Sequence, residues 1–206
     1  MNLYLSHSNL SNAKENDSPE LLLWQKVTSG DRKAFSDIYK KYVKILYQYG
    51  MKLSQDKLLV EDNIHDLFVD LWNKKNHIEI TSSLRFYLIS SFRRRLFRVI
   101  TNTRKKIPES LHNFEFQCES REDVIINENE NAALKKRVQN ALKKLTKRQR
   151  EVIYLRFFQG LEYEEIASIM EISVDSIYVL TSKSIKSLKE ILPYIILLIG
   201  LFYCFS

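Results

Sequence analysis

Between Ile80 and Pro108 the chain carries eight basic residues and no acidic one: Arg85, Arg93, Arg94, Arg95, Arg98, Arg104, Lys105 and Lys106. Phe86, Tyr87, Phe92 and Phe97 are set among them. That mixture suits nucleic acid, because cationic groups neutralise phosphates and aromatic rings offer unpaired bases a surface to stack on. The same run also reads as a solvated charged face over an aromatic core.

A second constellation is "YEEIASIMEISVDSIYVL", residues 163–180. It places Ile166, Ala167 and Met170 on one helix, Ile172 before the cap-like Ser173, and Ile177 in the next helix. Ala167 lacks bulk and suits close helix contact. This is the economy of a helix-turn-helix, in which the first helix supports a second whose N-terminal part enters the major groove. Two ordinary packed helices are the alternative. Glu171 stands in the turn where glycine is often found, so the turn cannot rely on a cost-free positive φ there.

Covalent chemistry finds no comparable support. Cys118 and Cys204 are the only cysteines, and neither belongs to a CxxC pair. His7, His65, His77 and His112 are scattered, with no spacing that would set two metal ligands on one turn. No catalytic residue, metal site or cofactor is assigned, and an enzyme is not expected. The N-terminal stretch has no secretory signal pattern, and cysteine usage fits a reducing cytoplasm. The 206 residues, 45% of them apolar, suffice for one domain or two small ones, and the net charge of +7 favours a polyanionic partner without requiring one.

The elements that must position these residues read as helices throughout. Leu22, Leu23 and Val27, then Phe35, Ile38, Tyr39, Tyr42, Ile45, Leu46 and Tyr49, recur at three-to-four spacing. "VEDNIHDLFVDLW" sets Val60, Ile64, Leu67, Phe68, Leu71 and Trp72 on one broad face, with Glu61, Asp62, Asp66 and Asp70 mainly outside it. A polar break precedes a helix over about 84–100, with Ser82 or Ser83 as its cap. Residues 108–130 then hold seven acids against Arg121 alone, which reads as a linker. From Asn131 to Glu190 the helical pattern returns with twelve basic and seven acidic residues, a net of +5. The expected architecture is all-α: a flexible leader (1–20), a helical domain (21–107), the acidic linker (108–130), a helix-turn-helix domain (131–190) and an apolar tail (191–206).

With both blocks in view the chain resembles a sigma-70-family RNA polymerase sigma factor of the extracytoplasmic-function (ECF) type, and most of all the version common in Bacteroides-like bacteria. "LKKLTKRQREVIYLRFFQGLEYEEIASIMEIS" is similar to the family's region four nearly end to end, and "VEDNIHDLFVDLW" resembles its region-two signature. The resemblance implies a protein that binds core RNA polymerase, recognises the minus-ten and minus-thirty-five promoter elements and helps melt DNA. It implies polymerase binding through Glu61, Asp62, Asp66, Leu67, Phe68, Leu71 and Trp72, the apolar ones being candidates for intradomain core as well. Minus-ten recognition and melting fall to His77, Phe86, Tyr87, Arg93, Arg94, Arg95 and Arg98. The minus-thirty-five element falls to Arg148, Arg150, Ser173, Asp175, Ser176, Tyr178, Val179, Ser182, Lys183 and Lys186. Control by an anti-sigma factor is a further implication.

The chain departs from that pattern at His65, where many relatives have glutamine, and at Tyr178 and Val179, where many have a basic and a small polar residue. Neither Tyr nor Val reproduces an arginine fork, although Tyr178 can donate one hydrogen bond and Val179 or Leu180 can approach a thymine methyl. The tail "ILPYIILLIGLFYCF" is uncharged. As a straight helix it would rise about 22 Å, short of a roughly 30 Å bilayer core. Packing on the second block or on a partner is the preferred reading of the tail, ahead of peripheral membrane attachment. Two other functions fit parts of the sequence: a DNA-binding regulator that does not direct polymerase, and a sigma-like module that sequesters polymerase or a sigma regulator.

Overall fold

The computed structural model describes residues 19–80, 83–104 and 140–191. All regular elements among these residues are helical, in two units that lie within residues 1–112 and 113–206. The expected linker, most of the apolar tail, both cysteines, His7, His112 and Ser82 lie outside the described residues.

The first unit is built from α1 (Pro19–Thr28), α2 (Arg32–Leu53), α3 (Lys57–Asn73), a short 3₁₀ turn (Lys75–His77) and α4 (Leu84–Arg104). Each start has a local chemical reason. The Asp31 carboxylate accepts from the backbone N–H groups of Lys33 and Ala34 at 2.8 and 3.1 Å, and Asp56 accepts from Leu59 at 3.0 Å. Ser83, one of the two expected caps of α4, accepts from Phe86 at 3.2 Å. These caps satisfy N–H groups that have no partner inside the helix.

The buried residues of α2, Ile38, Tyr42, Leu46, Tyr49 and Leu53, form one stripe at helical spacing. They meet Val60, Ile64, Phe68 and Leu71 of α3 and Leu84, Leu88, Phe92 and Leu96 of α4 in the same core. Gly50 lets the helices close. A Cβ there would stand 2.7 Å from Val60 Cγ1 and 2.8 Å from Phe92 Cζ, so any larger residue would push neighbours apart.

In the second unit residues 140–144 are helical and lead into α5 (Lys147–Ile153), a π-helical turn (Tyr154–Phe158), α6 (Tyr163–Met170) and α7 (Val174–Ile191). Thr146 and Gln149 form a reciprocal capping box at the start of α5, and Glu162 and Glu165 form another at α6. The π turn closes with Gln159 N–H donating to the Tyr154 carbonyl at 3.1 Å, and Gly160 then takes φ 64° to let the chain reverse. Gln159 also donates to the Tyr154 hydroxyl at 2.9 Å. Burial pushes that hydroxyl up to about 12 and the Gln159 bond opposes the shift, so Tyr154 stays protonated at ordinary pH.

Two helices joined by a tight turn follow. Ile166, Ala167, Ile169 and Met170 of α6 are buried, and so is Ile177 of α7. Between them Glu171 does take the left-handed conformation, with φ 56° and ψ 46°, the only positive φ outside glycine among the described residues. The turn is closed by Ile172 N–H donating to the Ala167 carbonyl at 3.2 Å. A side chain in this region costs about 1 to 2 kcal/mol, part of which glycine would return in a looser unfolded chain.

Glu171→Gly is therefore expected to stabilise the second unit by about 0.5 to 1 kcal/mol, raising its melting temperature by a few degrees in calorimetry of the full chain. Tryptophan fluorescence should not follow the change, because Trp24 and Trp72, the only two tryptophans, both lie in the first unit. An unchanged or lower second-unit transition would contradict a strained turn.

Candidate functional site

On α3 the residues expected to form one partner-binding face separate by chemistry. Glu61, Asp62 and Asp66 are exposed, whereas Leu67, Phe68 and Leu71 are buried. Phe68 sits edge-on to Phe35 and Tyr39 of α2, with centroids 6.1 and 4.8 Å apart. Trp72, half-buried, leans on Phe35 at 5.0 Å and carries the Lys75 ammonium over its ring at 4.3 Å. Phe68 and Trp72 thus fix α3 to α2, while the three carboxylates stay exposed, Glu61 with its Oε1 3.6 Å from Lys57 Nζ.

Sequence reasoning missed the apolar surface that α2 and α3 present outward. Leu58, Val69 and Tyr39 are exposed. A groove of about 510 Å³ between the two helices is lined by Tyr39, Val43, Tyr47, Ile64 and Glu61, with His65 among them. The signal was present as surplus: α2 has more aromatic and branched residues than one helical stripe can bury.

The arginines of α4 differ in what occupies them. Arg95 is paired with Asp70 of α3, whose other oxygen is 3.4 Å from Lys74 Nζ. Arg93 lies over the Phe97 ring at 4.4 Å. Arg94, exposed, has Nη2 3.5 Å from Ser90 Oγ, and Arg98 is exposed one turn further on. Phe86 and Tyr87 are half-buried near the start of the helix, and His77 is exposed in the 3₁₀ turn. Arg94 and Arg98 are the two exposed arginines of this set. Arg95 is a tie between helices.

In the second unit Arg150 is similarly committed. Its Nη1 donates to the carbonyls of Lys143 and Leu145 at 3.3 and 3.1 Å, holding the end of the preceding helix, while Arg148 is exposed. Ser173 starts α7: its Oγ accepts from the Ser176 N–H at 3.2 Å and lies 2.8 Å from Ser176 Oγ. Ile177, Thr181 and Ser184 are buried, at i, i+4 and i+7. The geometry of one buried stripe turns Asp175, Ser176, Val179, Ser182, Lys183 and Lys186 outward together, and all six are exposed.

Tyr178 flanks that face and is not isolated. Its ring lies 4.3 Å from that of Tyr163, the first residue of α6. The Arg156 guanidinium stacks over Tyr163 at 4.6 Å and is itself fixed by donating to the Leu161 carbonyl at 2.8 Å and the Glu162 carboxylate at 2.9 Å. Four side chains from three elements therefore hold the flank of the outward face.

The family model described as Sigma-70, region 4 matches residues 135–188, which span α5 to α7 almost entirely. The chain is 27% identical over 162 residues to the ECF RNA polymerase sigma factor SigX of Bacillus subtilis, covering 76% of this chain and 82% of that protein. It is 23% identical over 175 residues to the ECF RNA polymerase sigma factor SigK of Mycobacterium tuberculosis, covering 82% and 91%. The second unit thus matches the region-four model of the sigma-70 family, and over most of its length the chain is similar to ECF-type sigma-70 factors.

The sigma factor RpoE of Bartonella quintana, solved with the anti-sigma factor NepR, is similar in fold, with a TM-score of 0.58 at 23% identity over 78% of this chain and 98% of that one. A sigma factor is a regulatory protein and not an enzyme. Among the described residues, no group of three His, Cys, Asp or Glu could hold a metal ion, and no helix is long and apolar enough to cross a membrane.

The division among the α4 arginines has a measurable consequence. Arg95→Ala is expected to cost the first unit roughly 1 kcal/mol, since it removes a partly exposed charge-assisted tie. Arg94→Ala and Arg98→Ala should stay within about 0.5 kcal/mol of the parent. Urea unfolding followed by tryptophan fluorescence compares them, and equal midpoints for all three variants would contradict the assignment of Arg95 as the structural member.

Proposed function

We propose that this sigma factor binds core RNA polymerase, recognises minus-ten and minus-thirty-five promoter elements and promotes DNA-templated transcription initiation. The observation that carries the proposal is the outward face of α7, a set of polar, apolar and basic side chains on a helix whose opposite stripe is buried in a helix-turn-helix. A first unit with an acidic outer face on α3 and exposed arginines on α4 fits the same reading, because the two helices then offer protein-binding and phosphate-binding surfaces of opposite charge.

In this scheme Glu61, Asp62 and Asp66 meet basic groups of the polymerase, and Arg94 and Arg98 meet promoter phosphates around the minus-ten element. Phe86 and Tyr87 line the same helix and supply stacking surface once the strands separate. Arg148, Lys183 and Lys186 neutralise phosphates flanking the minus-thirty-five element, and Ser173 presents the first amides of α7 to one of them. An anti-sigma partner belongs to the proposal, since the similar Bartonella factor was solved with one. So does the Bacteroides-like type, on sequence resemblance alone.

Reconstitution with the core polymerase of its own organism tests the proposal. Stable polymerase binding and transcripts starting at discrete promoters, mapped by unbiased sequencing, are expected. Arg94→Ala combined with Arg98→Ala should reduce open-complex yield severalfold while the tryptophan-reported midpoint is retained. Polymerase binding with no initiation at any native promoter would replace the proposal with sequestration, and specific DNA binding without polymerase would replace it with a stand-alone regulator.

A further inference from the structure

We infer that Val179 is the specificity-determining residue of α7, selecting the C5 methyl of thymine in the upstream promoter element, and that Tyr163 positions Tyr178 as the wall beside it. The inference rests on the proposed function and goes beyond it by naming what is read. Val179 is 53% exposed and occupies the middle of the outward face, with Asp175 and Ser176 one turn before it and Ser182 and Lys183 one turn after. No outward residue over 173–182 carries a guanidinium or a side-chain amide. The bidentate pairings that select guanine and adenine are thereby missing from the part of the helix that enters the groove.

What remains is an apolar branch, an acid and hydroxyls. An exposed valine in a groove loses its water favourably only against another apolar group, and the thymine methyl is the apolar group that the major groove displays. Ser176 is turned toward Ser173 by their 2.8 Å contact, which leaves Val179 as the side chain projecting centrally. Tyr178, 48% exposed, cannot swing freely, because its ring rests on Tyr163 at 4.3 Å and Tyr163 is backed by Arg156. A fixed aromatic edge beside Val179 narrows the space a base edge can occupy. Recognition then depends on shape and one methyl group more than on hydrogen-bond forks.

The test uses full-length factor with core polymerase on a promoter identified by transcript mapping. Each thymine of the upstream element is replaced in turn by deoxyuridine, which removes the methyl and keeps the base pair. At least one replacement is expected to weaken holoenzyme binding about fourfold, the effect of exposing one methyl-sized group. Val179→Ser should abolish the difference between the thymine and deoxyuridine promoters, and Val179→Ala should leave part of it.

Tyr163→Ala should also reduce the discrimination, Tyr163→Phe should preserve it, and calorimetry of each variant separates this from unfolding. Equal binding of all deoxyuridine promoters, or unchanged discrimination in folded Val179→Ser, would overturn the inference while leaving the sigma function standing. Discrimination retained in folded Tyr163→Ala would overturn the positioning role of Tyr163. Failure of the parent factor to initiate at any promoter would overturn both the function and the inference.

Discussion

A helix can bury one stripe and must leave the opposite stripe to solvent, and that constraint on α7 governs most of what the second unit can do. Ile177, Thr181 and Ser184 are committed to the interior. Everything available for recognition is then set by the 100° step between neighbours, which brings Asp175, Ser176, Val179, Ser182 and Lys183 to the other side. The strained turn at Glu171, the capping box of α6 and the small Ala167 all serve to seat α6 so that this partition holds. Change the turn and the outward face rotates with it.

The first unit meets the same constraint with charge. Its core takes the aromatic and aliphatic stripes of α2, α3 and α4, and the residues left over are acids on α3 and arginines on α4. Where the two charged surfaces approach, Asp70 and Arg95 join instead of repelling a partner. One arginine of the basic run thus ties the helix that carries the others to its neighbour.

Much of this was legible in the sequence because helical periodicity reports burial directly. The stripe of Ile38, Tyr42, Leu46 and Tyr49, the helix-turn-helix order around Ala167 and Ile177, and the Ser83 cap follow from spacing and local hydrogen bonding. Contacts between distant positions were not legible in that way. Asp70 and Arg95 are 25 positions apart, and nothing in a run of arginines marks which of them turns inward. The Tyr163 and Tyr178 contact, the grip of Arg150 on the preceding helix and the π turn at Tyr154–Phe158 likewise depend on tertiary placement. Tyr178, which stands where many relatives have a basic residue, rests on Tyr163 at 4.3 Å and is still 48% exposed. Val179 beside it is 53% exposed.

The central claim is that the outward face of α7 lies against promoter DNA when the factor is bound to polymerase. A photo-crosslinking side chain placed at Val179 in the reconstituted initiation complex tests it most directly. Attachment to promoter DNA upstream of the start site is the predicted result. Attachment to a polymerase subunit alone, with the DNA unlabelled, would contradict the claim and make this face a protein contact.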